Sequence, residues 1–210
     1  MRDFVIVDVE TTGGKPGASR ITDIALVFIK NNCINGHYST LVNPNREIDQ
    51  YVQKITHITN NMVRNAPKFY QIAEEIDFLT NNCILVGHNI RFDYSMIRSE
   101  FNRLGINYER ETIDTISMAR KALPELSLYN LDAVTKYLDI EINNRHRALG
   151  DAEATAKLFL QLYDMCNCNL ENSLKIPYHF DKLLKNNIFH FLTLIIITII
   201  NLGKLIIYFC

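Results

Sequence analysis

Residues 4–14 of the chain read FVIVDVETTGG. Phe4, Val5, Ile6, Val7 and Val9 form the most strand-like run in the sequence, yet Asp8 and Glu10 sit at its end. Acids are poor strand residues, and a buried carboxylate without a partner is costly. Residues two apart on a strand share a face, so Asp8 and Glu10 point together while Val7 and Val9 point the opposite way. Two adjacent carboxylates repel, and each is driven toward its protonated form. A divalent cation removes the conflict, and hard oxygen ligands suit Mg2+ or Mn2+ rather than zinc. Taken alone, Asp-x-Glu also describes a strand end with two solvated acids. Thr11-Thr12-Gly13-Gly14 adds a turn whose backbone N–H groups and hydroxyls suit a phosphate.

Outward from this strand, the chain supplies a sheet. Ile21–Ile29 and His37–Val42 read as strands separated by the turn-rich NNCING, which suggests an antiparallel meander. Cys83–Val86 is a short apolar strand that stops at Gly87. Helices are expected over Pro67–Leu79, from Phe92 to Leu104 with Gly105 as the stop, over Ser127–Tyr137 and over Ala148–Met165. Strands followed by alternating strands and helices imply an α/β fold, a mixed sheet with helices packed on it. With 210 residues, 48% of them apolar and 21% charged, the chain can bury one substantial core. Net charge is −1, so no general basic surface marks a nucleic-acid binder, and any such contact is local or bridged by metal ions.

Two further stations carry acids. In VGHNIRFD, Val86 to Asp93, a strand ends at Gly87, His88 and Asn89 fall in a loop, and Asp93 enters the first turn of a helix. Strand-end loops of such sheets are where ligands bind. By itself Asp93 is explained by the helix dipole, and His88 by an ordinary loop hydrogen bond. In RHRALGDAEA, Arg145 to Ala154, Asp151 opens the last helix and His146 lies five residues earlier. On one continuous helix five residues turn about 500°, which leaves the two side chains about 140° apart. They share a site only if His146 lies on the polar loop before the helix. A solvated basic loop followed by a helix-opening acid is the plainer reading of that stretch.

Taken together, the three stations resemble the exonuclease motifs of the DnaQ-like DEDDh family, which includes the proofreading epsilon subunit of bacterial DNA polymerase III. DVETTGG resembles the first motif, GHNIRFD the second, and His146 with Asp151 the third. LVNP at Leu41–Pro44, ITHIT at Ile55–Thr59, DT at Asp114–Thr115 and LYNLDAV at Leu128–Val134 support it. The resemblance implies an RNase H-like fold with a mixed five-stranded sheet flanked by helices. It implies 3′→5′ exonuclease activity on DNA 3′ ends in proofreading or repair, with a polymerase or repair partner. It also implies two divalent cations, Mg2+ or Mn2+, held by Asp8, Glu10, Asp93 and Asp151, with His146 as general base. Thr11, Thr12, His88 and Asn89 are the candidates for substrate contact, while Phe92 is expected in the core. An RNA 3′-end trimming exonuclease is the alternative enzyme. A non-catalytic nucleic-acid-binding or membrane-tethered scaffold is the alternative of another class.

The expected organisation is an exonuclease domain over 1–166, a linker over 167–187 and a hydrophobic tail over 188–210. Ile188–Cys210 contains no acid and one lysine, Lys204, and its length suits a bilayer span. Lys182 and Lys185 before it would keep the domain on the cytoplasmic side. The alternatives are an apolar segment packed on the domain or a partner, and the end of a truncated or frameshifted reading frame. The cysteines are few and scattered, apart from Cys166 and Cys168, and are expected to be reduced thiols of a cytoplasmic protein. Strand-like sequence from Phe4 speaks against a signal peptide.

Overall fold

The computed structural model describes residues 3–165. Cys166, Cys168, the linker and the hydrophobic tail lie outside the described residues. The sheet is built from β1 (Phe4–Thr11), β2 (Ile21–Lys30), β3 (Cys33–Leu41), β4 (Ile84–Gly87) and β5 (Glu111–Asp114), in the order β3-β2-β1-β4-β5. The β1–β2 and β2–β3 pairs are antiparallel, and the β1–β4 and β4–β5 pairs are parallel. The helices are α1 (Gln50–Thr56), α2 (Asn60–Val63), α3 (Phe69–Thr80), α4 (Ile90–Arg103), α5 (Thr115–Ala122), α6 (Leu131–Tyr137) and α7 (Ala148–Met165).

β1 is central, and its two faces have different partners. Val5, Val7 and Val9 join the core made with α3 and α4, alongside Ile72, Ile76, Met96, Ile97 and Phe101. Phe4 and Ile6 face the other way, and Phe4 meets Phe159 of α7 with ring centroids 5.0 Å apart. Asp8 and Glu10 continue this second face toward the start of α7. Each fully buried apolar side chain stabilises by about 1.5–3 kcal/mol. That packing holds the strand in place beneath acids whose repulsion opposes folding. Phe92 is partly buried against the α3–α4 core, as expected.

Several expected boundaries shift. β3 begins at Cys33 rather than His37, because only Asn31 and Asn32 form the turn, with φ 51° and 58°. Two successive left-handed residues give the hairpin twist that matches its strands. Gly36, at φ 101°, takes up the register irregularity opposite Val27–Ile29. α6 begins at Leu131 rather than Ser127, because Asn130 caps it by accepting the Ala133 N–H at 2.8 Å. Among the described residues no helix is long and apolar enough to cross a membrane.

Candidate active site

Acids from three elements meet at the end of β1. One oxygen each from Asp8, Glu10 and Asp151 lies within 4.8 Å of the others. Asp93, in the first turn of α4 and 5% exposed, arrives differently, its Oδ1 accepting the Val9 N–H at 3.0 Å. The parallel pairing of β1 with β4 ends at Ile6 and Val86, so α4 delivers Asp93 where the strand edge opens. The bond ties the helix-borne acid to the backbone between Asp8 and Glu10.

This crowding shows in the acid–base properties. Burial first, then repulsion from Asp93, Asp151 and Glu10, pushes Asp8 well above the usual carboxylate range. Burial and then Asp151, Asp23 and Asp93 raise Glu10 to about 8. Burial raises Asp93 to about 7 although it accepts the Val9 N–H. Asp151 is raised by burial against the pull of Arg145 and His146. Acids held in this condition call for positive charge.

Arg145 supplies part of it. Its Nε donates to Asp132 Oδ1 at 2.7 Å and its Nη2 to Asp132 Oδ2 at 3.3 Å, while Nη1 donates to Asp151 Oδ2. The His146 backbone N–H reaches the same Asp151 oxygen at 3.3 Å. Asp151 Oδ1, by contrast, is buried with no hydrogen-bond partner. An orphaned carboxylate oxygen beside two convergent carboxylates fits a hard divalent cation, since the donors are all oxygen.

His146 occupies the turn just before α7, half-buried, at φ 64°. That is the loop position a shared site with Asp151 requires. Its Nδ1 lies 3.4 Å from Arg145 Nη1.

The residues expected to touch substrate are placed less simply. Thr11 Oγ1 donates to Gly13 O at 2.5 Å, and Thr12 Oγ1 accepts the Arg20 N–H at 3.0 Å. Both threonines are buried, and their hydroxyls shape the turn. His88 Nδ1 is 2.9 Å from Thr115 Oγ1 and Nε2 is 2.8 Å from Tyr129 O. Both ring nitrogens therefore brace the loop, and burial lowers the imidazole's pKa. Asn89 is exposed in the left-handed region, and its side chain makes no cap. Its N–H donates to Asp114 Oδ1 at 3.1 Å, the oxygen that also caps α5 through Ile116 N–H at 2.9 Å. Asp114 thus interlocks the GHN loop with β5, a role that only the DT motif hints at in sequence. Nothing local in the sequence singles out Arg145 or Asp132, because their link is a tertiary ion pair across 13 residues.

A carboxylate-lined centre on the central strand of a five-stranded mixed sheet defines the class, a hydrolase domain of RNase H-like architecture. The family model for exonucleases of the RNase T type matches residues 5–159, and the chain belongs to that family. The 3′-5′ exonuclease DinG of Staphylococcus aureus (strain MRSA252) is 34% identical over 190 residues, covering 90% of this chain and 21% of the relative. The chain thus spans about a fifth of the curated relatives it matches. Among solved structures, exonuclease X in complex with 5′ overhanging duplex DNA aligns with TM-score 0.66 and 27% identity, covering 80% of this chain and 95% of that one. E. coli exonuclease I in complex with a dT13 oligonucleotide shares the fold, with TM-score 0.72 at 20% identity, covering 82% and 43% of the two chains.

Proposed function

We propose that the protein is a metal-dependent 3′→5′ exonuclease that removes nucleotides from DNA 3′ ends. The observation that carries this reading is the convergence of Asp8, Glu10 and Asp151, with one Asp151 oxygen buried and unpartnered, in a chain of the exonuclease family. Asp8, Glu10, Asp93 and Asp151 would hold two ions, Mg2+ or Mn2+. When bound, such a pair shields charge on the phosphate and leaving oxygen and makes water acidic enough to attack. His146 accepts the proton lost by the attacking water. The water oxygen bonds to phosphorus, the P–O3′ bond breaks, and a nucleoside 5′-monophosphate leaves a new 3′ hydroxyl on the chain. Arg145 and the His146 N–H hold Asp151 through one oxygen and leave the other without a partner, where it would be available to an ion. Asn89, exposed at the rim, is the remaining candidate for a nucleotide contact, and His88 acts as a brace. The DNA complexes of exonucleases X and I favour DNA as substrate. A proofreading or repair setting with a polymerase or repair partner, and a cytoplasmic location, belong to the same proposal.

The test uses single-stranded DNA and RNA of one sequence, labelled at the 3′ or the 5′ end. With Mg2+, 3′-labelled DNA should release labelled mononucleotide at once, 5′-labelled DNA should shorten stepwise, and a chelator should stop both. Faster hydrolysis of RNA would establish the trimming enzyme instead. DNA binding without release under either metal would establish a scaffold.

A further inference from the structure

His146 stands between two arginines, and each is anchored to a different element. Arg145 reaches α6 through Asp132. Arg147 turns the other way, its Nε donating to Asp23 Oδ2 at 2.9 Å across 124 residues of sequence. Asp23 lies on β2, is 3% exposed, and is the register partner of Glu10 across the antiparallel pair. Directly opposed residues share a face of the sheet, so Asp23 stands beside the acids without belonging to their convergent group. Its carboxylate also takes a backbone hydrogen bond from Ala148, the first residue of α7.

The turn that carries His146 is seated against α7 as well. A Cβ on Gly150 would lie 1.9 Å from Asn143 O and 2.7 Å from Asn144 O, so the turn's backbone rests where any side chain would stand. Arg147 N–H donates to Asn144 O at 3.1 Å, and Asp151 N–H to Arg147 O at 3.1 Å. His146 itself is held at φ 64°, in the left-handed region that non-glycine residues adopt uncommonly. The Arg147–Asp23 pair ties this turn to the sheet, and hence to the strand that bears Asp8 and Glu10.

We infer that Asp23 and Arg147 are positioning residues for His146, an ion pair between β2 and the turn that fixes the imidazole relative to the carboxylates of β1. The inference rests on the reading of His146 as general base. Arg147 touches no reacting atom, so its effect should pass through the histidine and vanish when the histidine is absent.

A kinetic double-mutant cycle tests this. Single-turnover release of a 3′-terminal nucleotide is measured for wild type, R147Q, H146A and H146A/R147Q, with melting temperatures beside each. R147Q should lower the single-turnover rate constant by ~10-fold or more, part of the ~10²–10⁴ a general base contributes, with the enzyme concentration that gives half the maximal rate little changed. In the H146A background the same substitution should cost nothing beyond about twofold, the usual tolerance for independent sites. R147K, which keeps the charge, should recover part of the rate. R147Q leaves a buried carboxylate unpaired, so D23N/R147Q, which leaves none, is measured in the same cycle and should behave alike. Effects of His146 and Arg147 that multiply, with H146A itself slow, overturn the inference alone. An H146A protein as fast as wild type overturns the general-base reading, and the inference with it.

Discussion

Asp8→Ala is expected to lower nucleotide release about a thousandfold or more. Lewis-acid stabilisation by bound metal is worth several kcal/mol in the transition state, and each ~1.4 kcal/mol is tenfold in rate. Asp8 is the residue whose loss should forfeit most of it. It lies on the rigid central strand, converges with Glu10 and Asp151, and feels Asp93, Asp151 and Glu10 together. The fold should survive, since the apolar side chains that hold β1 lie elsewhere along it. In the metal-free protein the substitution should even stabilise, because it removes one half-buried acid that repels its neighbours Asp93, Asp151 and Glu10. Loss of activity together with a higher melting temperature in chelator is the expected signature, read by nucleotide release and thermal unfolding on one preparation. An Asp8→Ala protein that melts lower in chelator would mean that the carboxylate serves the fold rather than the ions.

The second large effect is a stability that depends on pH and metal with an unusual sign. Acidic groups that pair with bases in folded proteins usually lose stability as pH falls. Here Asp8 and Asp151 are raised, Glu10 lies at about 8 and Asp93 at about 7, against about 4 in an unfolded chain. Between those limits the folded state holds more protons than the unfolded one, so stability falls as pH rises. Their contribution is fully present below about pH 4 and is lost as pH climbs through about 7 to 8. Chelated protein should therefore melt lower at pH 8.5 than at pH 6. Divalent ions compete with those protons and should reverse the trend. At about a hundredfold excess over Kd, Mg2+ or Mn2+ should raise Tm by about 5–10 °C at pH 8, and by less at pH 5.5. A metal-free Tm that is level or rising from pH 6 to 8.5 would contradict the crowding of these acids.

The parts of this site legible in sequence are those that local periodicity fixes. Alternation along Phe4–Val9 puts Asp8 and Glu10 on one face, and the helix pattern after Ala148 starts where Asp151 is needed. The polar run before it leaves His146 in a turn. β5 is not legible, because it has four residues and one buried side chain, Ile113, too short for any period. α1, α2 and α5 are illegible for the same reason, with four to eight residues each. The hydrogen bond from Val9 to Asp93 and the pair of Arg147 with Asp23 span 84 and 124 residues, and nothing local announces them. His88 shows the opposite limit of a motif. A loop histidine in a motif suggests substrate, whereas its two nitrogens are committed to Thr115 and Tyr129. Motif residues identify where chemistry is done, but which of them face the substrate is decided by tertiary hydrogen bonds.

The convergence of the acids on a pair of ions is tested most directly by locating those ions. Crystals of the protein equilibrated with Mn2+ and measured for anomalous scattering should give two manganese peaks about 3.5–4 Å apart, bordered by carboxylate oxygens of Asp8, Glu10 and Asp151. Manganese bound only at other acids, or none at this strand end under saturating metal, would contradict it.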